Sequence, residues 1–153
     1  MLREGVEIID SPGLNEAEAR TRVTMDYLAK ADAILFVLNA IQLCSMDEMN
    51  FIENNLKAYG FTDPFFVVNR FDLIPDSQKQ GIKKFAEMKL AEYSTNQIFY
   101  VSAQQALDGA MTNNEALYEI SNMRDFTKVL SEFLTKDKGK IKLYKTAREL
   151  KRI

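Results

Sequence analysis

The chain has 153 residues, 46% of them hydrophobic and 27% charged, with a formal net charge of −2. This suits one soluble domain with its own core rather than two. It has no histidine and a single cysteine, Cys44, which excludes histidine metal sites, histidine general bases, Ser-His-Asp triads and any internal disulfide.

The apolar run Val6-Glu7-Ile8-Ile9 predicts a first strand, ending in Asp10-Ser11-Pro12-Gly13. Helical spacing follows from Asn15 to Lys30, with Asn15 as N-cap and Glu16 and Glu18 in the first turn. Ala33 to Leu38 predicts the second strand. Ser45 to Tyr59 predicts a helix that opens on a Ser45/Glu48 capping box and stops at Gly60. Phe65-Phe66-Val67-Val68 predicts the third strand, Asp76 to Tyr93 a helix, and Ile98 to Val101 the fourth strand. Strands this rich in β-branched and aromatic residues are of the type buried on both faces of a parallel sheet. A short helix over 103–110, a loop at 112–114, a helix over 125–134 and a charged helical segment from Lys138 to Ile153 complete the chain. Strand and helix in alternation predict an α/β fold with right-handed crossovers. No run approaches the ~18 apolar residues of a membrane-spanning helix. No apolar h-region follows Met1 to Gly5, so the expected location is cytoplasmic.

Ligands of open α/β sheets bind at the loops after the strands. Asp10 at a strand end suits Mg²⁺, which keeps its water shell and needs few carboxylates. Gly13 lets backbone N–H groups approach a phosphate where a Cβ would obstruct. The same four residues also make an ordinary turn. After the third strand come Asn69-Arg70-Phe71-Asp72. The Asp72 carboxylate suits guanine, accepting its ring N–H and its exocyclic amine; adenine offers neither in that arrangement. The Asn69 amide can bond the neighbouring loop or the base, and Asp72 can equally cap a turn. After the fourth strand, Ser102-Ala103 can present a backbone N–H to the guanine carbonyl, or Ser102 can simply cap a helix. The three sites are 59 and 33 residues apart, from Asp10 to Asn69 and from Asn69 to Ser102. They fall in chain order at three separate predicted strand ends, which is the order a guanine-nucleotide domain requires.

Val6 to Asn15 resembles the third guanine-nucleotide motif of dynamin-like GTPases, especially the bacterial and mitofusin-like branch. Asn69-Arg70-Phe71-Asp72 resembles the fourth motif, with Arg70 where the wider pattern has Lys; an arginine plane also stacks on a base. Ser102-Ala103 resembles the fifth. Phe133 to Leu143 resembles the exit of that branch into a helical neck. The resemblance implies an incomplete P-loop GTPase-type three-layer fold: a mostly parallel sheet of four strands flanked by helices, with a C-terminal helical extension. It implies a partial GTPase domain over residues 1–135 and the extension over 136–153. It implies GTP or GDP and Mg²⁺ as ligands of the complete domain, with Asp10 facing the metal and Gly13, Asn69, Arg70, Asp72, Ser102 and Ala103 facing the nucleotide. Self-association through the GTPase domain and peripheral membrane association of a longer parent follow from the same resemblance.

The P-loop pattern G-x-x-x-x-G-K-[ST] does not occur. Gly139-Lys140 comes closest, but Leu134 stands at the first glycine and Ile141 at the hydroxyl position. Without the N–H cradle and lysine of a P-loop, the chain by itself is expected to bind GTP weakly or not at all, and residues 1–30 are expected to be its least native part. The alternative reading is a truncated, non-catalytic relative that acts as an interaction module. A receiver-type fold with Asp10 as its acid fits less well, because Asn69 stands where a phosphorylatable aspartate is wanted. Lys136 to Ile153 holds 8 basic and 2 acidic residues. It reads as a solvated helix, with lipid headgroups as the alternative partner, and no nucleic-acid partner is expected. Cys44 reads as a structural thiol near a helix start. Arg20 and Arg22 read as surface residues, with charge stabilisation in trans as the alternative.

Overall fold

A computed structural model describes residues 8–10, 31, 33–57, 60–61 and 63–136 of the chain. The helix expected over 15–30, Gly13, Arg20, Arg22 and the segment from Asp137 to Ile153 lie outside the described residues.

Three strands form a parallel sheet in the order β1-β2-β3: β1 Leu35–Asn39, β2 Phe65–Asn69 and β3 Phe99–Tyr100. Leu35 sits opposite Phe65 and Asn39 opposite Asn69, while Val68 sits opposite Tyr100. The strands therefore run out level with one another, and the loops that follow them emerge at one end. β2 is central and its four apolar residues are all buried, as a continuous Phe-Phe-Val-Val run demands. β3 is shorter than the expected 98–101. The Val101 N–H still donates to the Val68 carbonyl at 2.9 Å, but the Val101 carbonyl turns to accept from Phe71 N–H at 3.1 Å.

Five helices accompany the sheet among the described residues: α1 Met46–Phe51, α2 Asp76–Leu90, α3 Ala103–Met111, α4 Glu115–Ile120 and α5 Met123–Lys136. The Ser45/Glu48 capping box forms in both directions: the Ser45 hydroxyl accepts from Glu48 N–H, and the Glu48 carboxylate accepts from Ser45 N–H. Beyond Phe51 the expected α-helix gives way to a π-helical stretch, Ile52–Lys57, which keeps both Ile52 and Leu56 buried. Gly60 closes this segment at φ 69°, a left-handed position that glycine adopts without strain. The helix α4 was not expected. Its signal is Asn114, whose side chain accepts from Leu117 N–H, followed by Glu115 in the first turn.

The sheet divides two cores. On one face Phe36, Leu38, Phe66 and Val68 meet Ile52 and Leu56 together with Ala86 and Leu90 of α2. On the other, Phe65, Val67, Phe99 and Val101 meet Phe126 and Leu130 of α5. The Phe99 and Phe126 rings meet edge-on at 5.1 Å, and Phe65 and Phe133 at 4.9 Å. These are the three layers, helices, sheet and helix, of a partial P-loop GTPase-type fold. The α5 layer covers β2 and β3 but stops short of β1, where Val37 is 60% exposed.

Of the expected first strand, Val6 and Glu7 lie outside the described residues. Residues 8–10 are irregular, and Ile8 is 76% exposed. A strand exists only as part of a ladder of backbone hydrogen bonds, and no described strand pairs with these residues.

Candidate functional site

Asn69 ends β2, and its side chain organises the loops that follow. The side-chain oxygen of Asn69 accepts two backbone N–H groups: that of Arg70 at 2.8 Å and that of Ala103 at 3.0 Å. One amide thus ties the loop after β2 to the loop after β3. Arg70 occupies the left-handed region, at φ 63° and ψ 29°. That conformation costs a non-glycine residue of order 1 kcal/mol and persists where surrounding contacts hold it.

Phe71 is the main anchor. It is buried, its ring lies 4.9 Å from that of Tyr100, and its N–H bonds the Val101 carbonyl. From α2, Lys79 and Lys83 bring their ammonium groups to 5.8 and 5.7 Å from the Phe71 ring centre. Lys83 also lies over Tyr100 at 5.3 Å. Burial pushes the Tyr100 phenol up to about 12, so it stays neutral beside the lysines at physiological pH. With Phe71 and Ile74 turned inward, Arg70, Asp72 and Leu73 are left exposed on the outside of the turn.

Ser102 is buried, and its hydroxyl accepts from Gln105 N–H at 3.2 Å, capping α3. Its own N–H donates to the Ser121 carbonyl at 3.0 Å. Ala103 is exposed at the helix start. Its N–H was expected to be available for a ligand, but Asn69 already holds it. A ligand carbonyl must therefore share that N–H in a three-centre bond or displace the amide.

The structure thus brings Asn69, Arg70, Asp72, Ser102 and Ala103 to one end of adjacent parallel strands. Asp10 is exposed, and it makes no hydrogen bond or ion pair with another described residue. Gly13 lies outside the described residues. No group of three or more Asp, Glu, Cys or His side chains suited to a metal occurs among the described residues. A single carboxylate such as Asp10 fits a hydrated Mg²⁺ only when other ligands complete the shell. Cys44 is half-buried, and burial lifts its thiol to about 11, which fits a structural role. A cavity of about 320 Å³, lined in part by Leu56, Phe61, Pro64 and Tyr93, lies at the opposite end of the sheet, where β2 begins.

Sequence reasoning did not find Ser121 and Asn122, which hold the β3 loop from below. Their signal was faint: an Asn before an amphipathic helix, at a position where the backbone turns left-handed at φ 57°.

Residues 1–71 match the Dynamin family model. A bacterial dynamin-like protein of Nostoc punctiforme is 32% identical over 91% of this chain and 23% of its own length. Dynamin-like protein 1 of Campylobacter jejuni is 25% identical over 97% of the chain and 22% of its own length. Mitofusin FZO1 of Saccharomyces cerevisiae is 35% identical over 52% of the chain and 9% of its own length. The chain spans less than a quarter of the length of each of these relatives. With the strand-end loops placed as they are, the chain belongs to the dynamin-like GTPase family.

Proposed function

We propose that this chain supplies the guanine-recognising part of a domain that binds and hydrolyses GTP. The observation that carries the reading is the double use of Asn69. One side chain fixes the Arg70 loop and the Ala103 helix start relative to each other, so that the exposed Asp72 carboxylate and the α3 N-terminus share one end of the sheet. Asp72 accepts the ring N–H and amine of guanine, and the Ala103 N–H faces its carbonyl oxygen. The Arg70 guanidinium, exposed beside them, stacks on the base plane. The Asn69 amide nitrogen, which bonds no described residue, donates to the ring nitrogen on the far edge. Asp10 and Gly13 belong to the loop that faces Mg²⁺ and the terminal phosphate.

The test uses the protein at its natural length, with a fluorescent guanine nucleotide displaced by GDP, IDP and ADP. Asp72→Ala removes two charge-assisted hydrogen bonds, worth ~1.5–3 kcal/mol each. GDP affinity should fall by more than tenfold and GDP should lose its preference over ADP. An Asp72→Ala protein that still selects GDP sinks the reading. The 153-residue chain alone, titrated with GTP and Mg²⁺ in a calorimeter, should show no micromolar binding.

A second function of the same end of the sheet is self-association. Ile41, Met46 and Leu73 are all more than half exposed, and the turns that carry Ile41 and Leu73 pack against each other. An apolar rim around the nucleotide loops favours a partner copy that covers them. Sedimentation with and without GDP should show a dimer that Leu73→Glu weakens. Among the described residues no helix is long and apolar enough to cross a membrane. Peripheral membrane association of the whole protein, in the cytoplasm, rests on the family resemblance alone.

A further inference from the structure

The two loops of the site are held together by Asn69 on one side. A second bracket holds the β3 loop from the other side, and it is made by the turn between α4 and α5. The Ser121 carbonyl accepts from Ser102 N–H at 3.0 Å. The Asn122 side chain donates to the Tyr100 carbonyl at 3.0 Å. Tyr100 lies on β3, the edge of the sheet away from β2's other neighbour, so Asn122 also caps a carbonyl that the ladder leaves unused. Ser121 is fully buried, and its hydroxyl donates to the Tyr118 carbonyl and accepts from Met123 N–H at 3.2 Å. Asn122 itself adopts φ 57°, which an asparagine tolerates far better than a branched or bulky residue.

The peptide from Tyr100 to Ala103 is therefore clamped on both sides. Asn69 takes the Ala103 N–H, and the 121–122 turn takes the Ser102 N–H and the Tyr100 carbonyl. A third observation fixes the turn in place. A β-carbon on Gly109 of α3 would stand 2.7 Å from the Tyr118 nitrogen and 3.0 Å from the Asn114 carbonyl oxygen. Helices α3 and α4 are thus in backbone contact, and α3 cannot shift without moving Ser121.

We propose that Asn122 is a positioning residue for nucleobase recognition. Through Tyr100 and Ser102 it sets the direction in which the Ala103 N–H points at the 6-oxo group of the purine. The proposal rests on the guanine-recognition reading given above. It assigns the 6-oxo group to this bracket and leaves the 2-amino group to Asp72.

The experiment measures GDP and IDP affinities of the protein at its natural length. The two ligands share the 6-oxo group and differ only in the 2-amino group. Asn122→Asp keeps the shape and the left-handed tolerance but loses the donor and sets a carboxylate against the Tyr100 carbonyl. Asn122→Gly keeps the backbone conformation without strain and also loses the donor. Each variant should weaken GDP and IDP by the same factor, about tenfold, the loss of one hydrogen bond's worth of alignment. The GDP-to-IDP ratio stays at the parent value, whereas Asp72→Ala lowers that ratio. Should Asn122→Asp fail to fold, Asn122→Gly carries the measurement. Affinities within twofold of the parent, even with a lowered melting temperature, overturn the proposal, since Asn122 is then merely structural. A shifted GDP-to-IDP ratio in the Asn122 variants overturns it too, because the defect then lies in the Asp72 loop. If Asp72→Ala leaves GDP binding intact, it is the guanine reading that has failed.

Discussion

Among the described residues two glycines, Gly81 and Gly109, sit inside helices, and the same substitution should move stability in opposite directions at each. Gly81 lies in α2, where a built β-carbon meets nothing within 4 Å. Gly→Ala there gains the helix propensity difference, ~0.8–1 kcal/mol, with no steric cost. Gly109 lies in α3, where the same atom would stand 2.7 Å from the Tyr118 nitrogen and 3.0 Å from both the Tyr118 Cα and the Asn114 carbonyl oxygen. All three are backbone atoms, so no rotamer change relieves them. Ordinary contact begins at 3.4 Å, so α4 must back away by roughly 0.7 Å at its closest point. Overpacking of this kind costs ~1–3 kcal/mol, and the propensity gain of ~1 kcal/mol offsets only part of it. The net loss at Gly109 is ~0–2 kcal/mol, about 1 kcal/mol at mid-range. At ~2–4 °C per kcal/mol for a domain of this size, Gly81→Ala should melt roughly 2–4 °C above the parent and Gly109→Ala about as far below it. Thermal unfolding followed by circular dichroism measures both. A Gly109→Ala protein that melts above the parent would refute the close approach of α3 and α4, and with it the rigidity ascribed to the 121–122 turn.

Leu38→Ala removes a side chain that is 1% exposed and should cost ~2–5 kcal/mol in urea unfolding, whereas Val37→Thr on the open face of the same strand should stay within ~0.5 kcal/mol. Asn69→Ala removes the acceptor shared by Arg70 and Ala103, so the amide exchange of both residues should accelerate; unchanged protection at Ala103 contradicts the bracket. With its thiol raised to about 11 by burial, Cys44 should alkylate far more slowly than an unfolded thiol at pH 8, and rapid modification of the native chain contradicts that environment. The folded pKa lies above the unfolded one, so the Cys44 contribution to stability is complete below pH 9 and is lost as pH rises towards 11. Cys44→Ala should flatten that part of the stability profile.

The α/β order could be read from the chain because a strand covered on both faces must be apolar throughout, as Phe65 to Val68 is; Leu35 to Leu38 is equally apolar, although Leu35 and Val37 stand partly exposed on its open face. The capping box at Ser45 was equally plain, since both halves of it lie within four residues. What could not be read depends on contacts distant in sequence. Nothing local says that Ile52 to Lys57 winds as a π-helix. Ile8 and Ile9 close a run with a strand's composition, yet composition supplies no ladder, and among the described residues both stand exposed without one.

The candidate site divides along the same line. Its residue types were legible at the strand ends, but Asn69 reaches Ala103 across 34 positions and Asn122 reaches Tyr100 across 22. Those reaches exist because β2 and β3 run parallel in register, with Val68 opposite Tyr100. One residue beyond that pair, the two chains leave the sheet side by side, and an asparagine side chain is long enough to join them. A slip of one residue would turn Phe99 and Val101 to the other face and move the Ala103 N–H by about 3.3 Å along the strand, out of reach of Asn69. Register is thus the quantity that converts separate short motifs into one site, and it is set by the two cores that Phe65, Phe66, Val67 and Val68 fill on alternate faces.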